Sequence, residues 1–159
     1  MNMPTHRSFE SVQVGDRVEK SYGPLGPAHL MRWSAAMENW HRIHYDYPFS
    51  VDHEQLPGLL INGSFKQQFM VSLLRHWAGH TGWVWKVDFQ FRAMSVAGET
   101  LTAWMEVESV RRHAQFGSVG LKLGIRNERG LESTPGHATV ALPYADGAPL
   151  PYPFKPPST

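Results

Sequence analysis

The feature that most constrains this chain is a change of period at Gly79. Before it, "GSFKQQFMVSLLRHWAG" repeats Phe65, Phe69, Leu73 and Trp77 every four residues, and Met70 and Leu74 widen the stripe. That spacing predicts one helix opening at Gly63-Ser64, with Ser64 as N-cap, and stopping at Gly79. At about 15 residues and ~22 Å, with so broad an apolar surface, it belongs inside the protein. After Gly79 the chain alternates at period two. "VDFQF" (Val87–Phe91) alternates apolar and polar residues. Leu101, Ala103, Met105 and Val107 share one face, as do Val119, Leu121, Leu123 and Ile125, then Ala138, Val140 and Leu142. Turn signals in "AGET", "RRHAQFG" and "NERGLESTPG" separate four antiparallel strands. One face of such a sheet must be covered, and Ser64–Ala78 is the only segment long and apolar enough to do it. The pattern is α+β.

Upstream, a short strand is expected around Asp16–Tyr22, followed by a first helix in "GPAHLMRWSAAMEN". Pro27 suits its first position, and Leu30, Trp33 and Met37 fall on one face. Six of the twelve prolines lie from Pro143 onward, so residues 143–159 read as an extended, Pro-rich tail lying across the surface. With no internal repeat or interior linker, the 159 residues form one expected domain, 1–159. Composition excludes more than it selects. A formal charge of +1 without a Lys/Arg stripe gives no footprint for nucleic acid. The absence of cysteine removes disulfides, thiolate metal sites and a Cys nucleophile. No apolar run approaches a membrane span, and "MNMPTHRSFE" lacks a secretory stretch, so a soluble cytoplasmic protein is expected.

Between the helices, "NWHRIHYD" (residues 39–46) gathers Asn39, His41, His44 and Asp46. Three readings compete. As a loop before Pro48, its polar groups could simply satisfy backbone. His41, His44 and Asp46 are donor types for a two-histidine, one-carboxylate metal centre, but they crowd into six residues and match no known ligand spacing. The third reading is acid–base chemistry by a histidine that titrates near neutrality. It needs a water-excluding wall, which Trp33, Trp40, Tyr45, Tyr47 and Phe49 offer. It also needs an electrophile stabiliser, offered by "LPGLLINGSF". There free backbone N–H groups at the helix start face an incoming oxyanion, and Gly63 lets a ligand carbonyl approach.

These residues resemble the signature of the MaoC-like (R)-specific enoyl-CoA hydratases, or hydratase 2. That signature reads roughly Asp-x-Asn-Pro-Ile-His, five residues, then Ala or Ser, and later Ile-x-His-Gly at the central helix. Ile43, His44, Ser50 and Gly63 match, and "FQFRAMSVAGETL" is similar to the family's Arg-x-Pro-Val-x-x-Gly-Asp-x-Leu through Arg92, Val96, Gly98 and Leu101. The chain departs at Asn39 (family Asp), His41 (Asn), Arg42 (Pro) and Asn62 (His). The form Asn-x-His-Arg-Ile-His-Tyr-Asp-x-Pro is similar to a subgroup that includes 3-methylfumaryl-CoA (mesaconyl-C4-CoA) hydratases. The resemblance covers most of residues 8–142 and implies a hotdog fold, a curved antiparallel sheet wrapped around the long helix.

It also implies a function: reversible hydration of a trans-2-enoyl thioester to the 3-hydroxyacyl thioester. Gly63 and Ser64 N–H would hold the thioester oxygen, His44 would take a proton from water, and Asn39 would hold that water. The C2 proton donor stays open among His44, Asp46 and His41. Trp40, Tyr45, Arg42 and Arg92 are expected against substrate, with acyl-CoA as the ligand and neither metal nor nucleotide cofactor. Two rivals remain, a hotdog thioesterase and a non-catalytic acyl-CoA-binding subunit. Ser64–Ala78 lacks the Asp or Glu that many such thioesterases carry there; loss of the family's Asp favours the second rival. A homodimer or dimer-based assembly is expected, to cover a strand edge and the open end of the acyl site.

Overall fold

A computed structural model describes residues 6–156. Strand β1 (Arg17–Tyr22) leads to helix α1 (Pro27–Ala36), then an irregular stretch, helix α2 (Gly63–Ala78) and strands β2 (Trp83–Phe89), β3 (Leu101–Arg112), β4 (Gly117–Asn127) and β5 (Gly136–Leu142). The five strands form one antiparallel sheet in the order β1-β3-β4-β5-β2. Its inner face carries the expected rows: Leu101, Ala103, Met105 and Val107 from β3, Val119, Leu121, Leu123 and Ile125 from β4, and Ala138, Val140 and Leu142 from β5, all buried. They close on Phe69, Met70, Leu73, Leu74 and Trp77 of α2. Each such side chain contributes about 1.5–3 kcal/mol by leaving water, so the helix is held by its apolar face rather than by propensity. The α+β arrangement is the hotdog fold.

Several boundaries differ from the sequence reading, each for a local reason. The N-cap of α2 is Asn62, not Ser64. The Asn62 carbonyl accepts the Phe65 and Lys66 N–H at 3.0 and 3.2 Å, which places Gly63 and Ser64 inside the first turn. Met37 is 52 % exposed because α1 has ended: Met37 is its C-cap and Glu38 turns the chain at φ 51°. Strand β2 begins four residues earlier than expected and stops at Phe89, leaving Phe91 outside the ladder. At the far end of α2, Gly79 takes φ 71°, a conformation that glycine adopts freely.

The tail lies against the sheet's outer surface. The Tyr144 hydroxyl donates to the His113 carbonyl at 2.6 Å, and Phe154 packs on Trp83, Trp85 and Phe116 at centroid distances of 6.1, 5.5 and 5.4 Å. Residues 157–159 of the tail lie outside the described residues. No helix among the described residues is long and apolar enough to cross a membrane.

Candidate active site

The stretch from α1 to α2 is built of tight turns. Residues Arg42–His44 form a 3₁₀ turn and Phe49–His53 a π-helical one, anchored where the buried Ser50 hydroxyl donates to Gly58 O at 2.7 Å. His44 stands on the inner side of the first turn and is buried. Its Nδ1 is 2.9 Å from Leu60 O. A carbonyl only accepts, so Nδ1 carries the proton and Nε2 is left with a free lone pair. Leu60 N–H in turn donates to Ile43 O at 2.9 Å. This two-bond clamp ties the His44 turn to the segment that enters α2, three residues before Gly63. Burial holds the His44 pKa below the ordinary imidazole value; the bond to Leu60 opposes this, and the nearby His41, with ring centroids 6.2 Å apart, adds to it. His44 is therefore a neutral base at pH 7.

At the start of α2, the Gly63 and Ser64 N–H groups have no acceptor among the described residues. They are the orphan donors of a helix N-terminus, reinforced by its dipole. The Ser64 hydroxyl accepts from Trp33 Nε1 at 2.9 Å, and Trp33 stacks on Phe65 at 4.7 Å, which locks this turn to α1. A second bolt lies beside it, where Asn62 Nδ2 donates to the buried Ser34 hydroxyl at 3.2 Å. The Ser34 carbonyl accepts the Asn39 N–H at 2.9 Å. Asn39, His44 and the helix start thus share one polar framework. Gly63 is needed for more than a ligand's approach: a Cβ there would stand 2.8 Å from Cζ of Phe91, whose ring walls the helix start.

The other expected residues divide. Asn39 Oδ1 accepts the His41 N–H at 3.3 Å, so the carboxamide shapes its own turn. Tyr45 donates from its hydroxyl to Trp40 O at 2.7 Å, and the Trp40 ring is left 57 % exposed beside it. Asp46, one of the three candidates for the C2 proton, is a hydrogen-bonded carboxylate. Its Oδ2 accepts from Arg42 Nε and Nη2 at 2.9 and 2.7 Å and its Oδ1 from Phe49 N–H at 3.2 Å, which holds its pKa below the usual carboxylate value. A carboxylate so held keeps no proton to give near neutrality. Arg42 is correspondingly spent on Asp46, with its guanidinium 4.1 Å from the Phe49 ring. His41 is exposed, and its Nδ1 accepts the Ile43 N–H at 3.5 Å. Arg92 lines a groove with Asp88, Phe89, Gln90, Gly136 and His137. Among the described residues no group of three or more His, Asp or Glu is arranged to hold a metal ion. Sequence reasoning missed Ser34 and Lys66, and met Asn62 only as a departure from the family's His. Lys66 had a signal, since it stands four residues before Met70 and eight before Leu74, on the buried row.

The hotdog fold, with its buried loop histidine and open helix start, is that of a thioester-dehydratase family. Residues 5–99 match the hydroxyacyl-thioester dehydratase type 2 family, and the chain belongs to it. Over 93 residues it is 34% identical to mesaconyl-C(4)-CoA hydratase of Chloroflexus aurantiacus; these are 58% of this chain but only 31% of that protein. The chain thus spans about a third of the length of that curated relative. The (R)-hydratase from A. caviae involved in PHA biosynthesis superposes with a TM-score of 0.76 at 22% identity, covering 84% of this chain and 99% of that one. A conserved hypothetical protein of Mycobacterium tuberculosis with a double hotdog fold superposes with a TM-score of 0.74 at 16% identity, covering 96% of this chain and 49% of that one.

Proposed function

We propose that the chain reversibly hydrates a trans-2-enoyl thioester to the 3-hydroxyacyl thioester. The observation that carries this is the His44 imidazole, fixed in the tautomer that leaves Nε2 free by the carbonyl of Leu60, which itself stands three residues before Gly63 and the two N–H donors of the helix start. Water's oxygen bonds to C3 as His44 Nε2 takes one of its protons. The C2=C3 π electrons move onto C2 and the thioester carbonyl, whose oxygen becomes an enolate held by the Gly63 and Ser64 N–H. The carbonyl re-forms as C2 takes the proton back from His44 Nε2, and the imidazole ends neutral. With Asp46 held as a carboxylate by Arg42, one histidine serving both transfers is the economical assignment. Asn39 orients the water through its carboxamide, which cannot itself take a proton near pH 7.

The mesaconyl-C(4)-CoA hydratase relative supports a CoA thioester as substrate, and the chemistry asks for no metal or nucleotide. On this reading Trp40 and Tyr45 meet the acyl or pantetheine portion, and Arg92 meets the carrier from the groove it lines. The test is a panel of trans-2-enoyl-CoA thioesters followed by loss of enoyl absorbance. Turnover abolished in His44→Ala supports the reading, and turnover unchanged in that variant sinks it. One observation favours a second reading: Asn39 replaces the family's Asp and its oxygen is turned to His41 N–H. In that case the chain binds acyl-CoA without turning it over until an obligate partner is added, and co-purification of such a partner would show it. Thiol release without hydration would instead indicate a thioesterase.

A further inference from the structure

Lys66 is buried where a cation is least stable. It lies in the first turn of α2, three residues after Gly63, and is 3% exposed. The helix dipole already makes that end positive, and an ammonium withdrawn from water is costly unless paired. Among the described residues no carboxylate comes within ion-pair distance of Nζ; its hydrogen bond goes to Ala93 O, at 3.1 Å. A residue that is destabilising on three counts has a reason to be there, and a buried cation with no carboxylate in direct contact, balanced only at longer range by Glu99, is a site for negative charge.

Phe91 shows where that charge would be. Lys66 Nζ stands 5.4 Å from the Phe91 ring centroid, and the same ring is the one that a Cβ on Gly63 would strike. Side chains lean toward the N-terminus of their helix, so the ammonium lies roughly 10 Å or less from the Gly63 and Ser64 N–H groups, about one turn away. The charged side chain that acts on it is Glu99, which is 8% exposed and bonded from Asn127 at 3.4 Å and Arg129 at 3.5 Å. The other titratable groups close by are Tyr22, stacked on Phe69 one turn along α2, and His44, which faces Leu60 on the entering segment.

We propose that Lys66 is an electrostatic positioning residue for the hydration step, its ammonium adding fixed positive potential behind the Gly63–Ser64 N–H pair where the enolate oxygen forms. This rests on the hydratase reading above. The residue gives up no proton and touches no reacting atom. A unit charge at about 10 Å with an effective dielectric of about 20 changes a rate on the order of tenfold.

Lys66→Met and Lys66→Arg, assayed with an uncharged straight-chain trans-2-enoyl-CoA, test it. Lys66→Met should lower kcat about tenfold with KM little changed, while Lys66→Arg keeps most of the rate. The parent should also lose rate at alkaline pH where the ammonium deprotonates, and Lys66→Met should lack that limb. Parental kcat in Lys66→Met overturns the proposal. So does equal loss in Met and Arg, which would mean packing, or a KM rise confined to acyl groups bearing a free carboxylate, which would mean substrate contact. Carbon-detected ¹⁵N shifts of Gly63 and Ser64 give a readout independent of turnover. They should follow an alkaline titration in the parent that vanishes in Lys66→Met. If the parent hydrates no enoyl thioester but the inflection is present, the hydratase reading fails and the Lys66 field stands; without the inflection the proposal fails.

Discussion

At the scale of single residues the proposed hydration turns on His44 and on what its neighbours do to it. If it carries the proton, His44→Ala should lower kcat by about 10²–10⁴-fold with the fold intact. Asn39→Ala should cost less, since it removes an orienting group, and Asn39→Asp should be tolerated. The pH dependence has a definite sign. Burial places the folded His44 pKa below 6.5, with His41 adding to the depression. Only the neutral ring is a base, so the acidic limb of kcat/KM should lie below 6.5, and His41→Gln should move it upward. The same shift acts on stability: below 6.5 the unfolded chain binds the proton more readily than the folded one. The His44 contribution is therefore complete above 6.5 and falls away as pH drops toward the folded value. His44 and Gly63 stood out in the sequence because a proposed base and a helix start each call for a particular residue type. The Arg42–Asp46 pair did not, because it depends on a 3₁₀ turn bringing positions i and i+4 together, and a loop read as irregular carries no such spacing rule.

At the scale of elements the entrance to α2 concentrates the function, and it was half legible. The four-residue apolar repeat and Gly79 marked the helix and its stop. The cap was misplaced because Ser and Asn are about equally good caps, and only the Asn62 carbonyl accepting the Phe65 and Lys66 N–H shows that Asn62 lies outside the helix and Ser64 within it. Period alone placed Lys66 on the buried row, but a lysine there reads as surface until its Ala93 partner is seen. Two outcomes follow. Gly63→Ala would drive a methyl into the Phe91 ring at 2.8 Å, so it should lower kcat about 10- to 100-fold. Removing the ring relieves that clash, so Gly63→Ala should cost less in a Phe91→Ala background. A double-mutant cycle on kcat/KM should show a coupling of about 1 kcal/mol or more, and simple additivity would mean that Gly63 matters only for its ligand. Lys66→Met, by contrast, exchanges a buried unpaired charge for an apolar chain of similar length. Even after loss of the Ala93 bond it should raise stability by about 1–2 kcal/mol, seen as a higher Tm, while slowing the reaction.

At the scale of the whole molecule, the alternating rows made the layer of sheet over one helix readable, whereas the strand order was not, since pairing β1 with β3 and β2 with β5 depends on contacts far apart in sequence. That order leaves β1 and β2 as the edges. Beside β2 runs a groove of about 590 Å³ between the outer face of α2 and the strand, lined by Gln68, Ser72, Arg75, His76, Trp83 and Val84. An unpaired strand edge next to a half-polar helix face is a template for further pairing. Pairing with a second copy, most simply through a two-fold contact in which both copies use the same surface, would cover that edge. The expected outcome is twice the chain mass in light scattering at micromolar concentration. Arg75→Glu together with Val84→Lys, which place charge on that groove without touching His44 or Gly63, should shift the mass toward that of one chain. A parent that scatters as a single chain would show that edge and groove are tolerated bare, and the dimer expectation would be wrong.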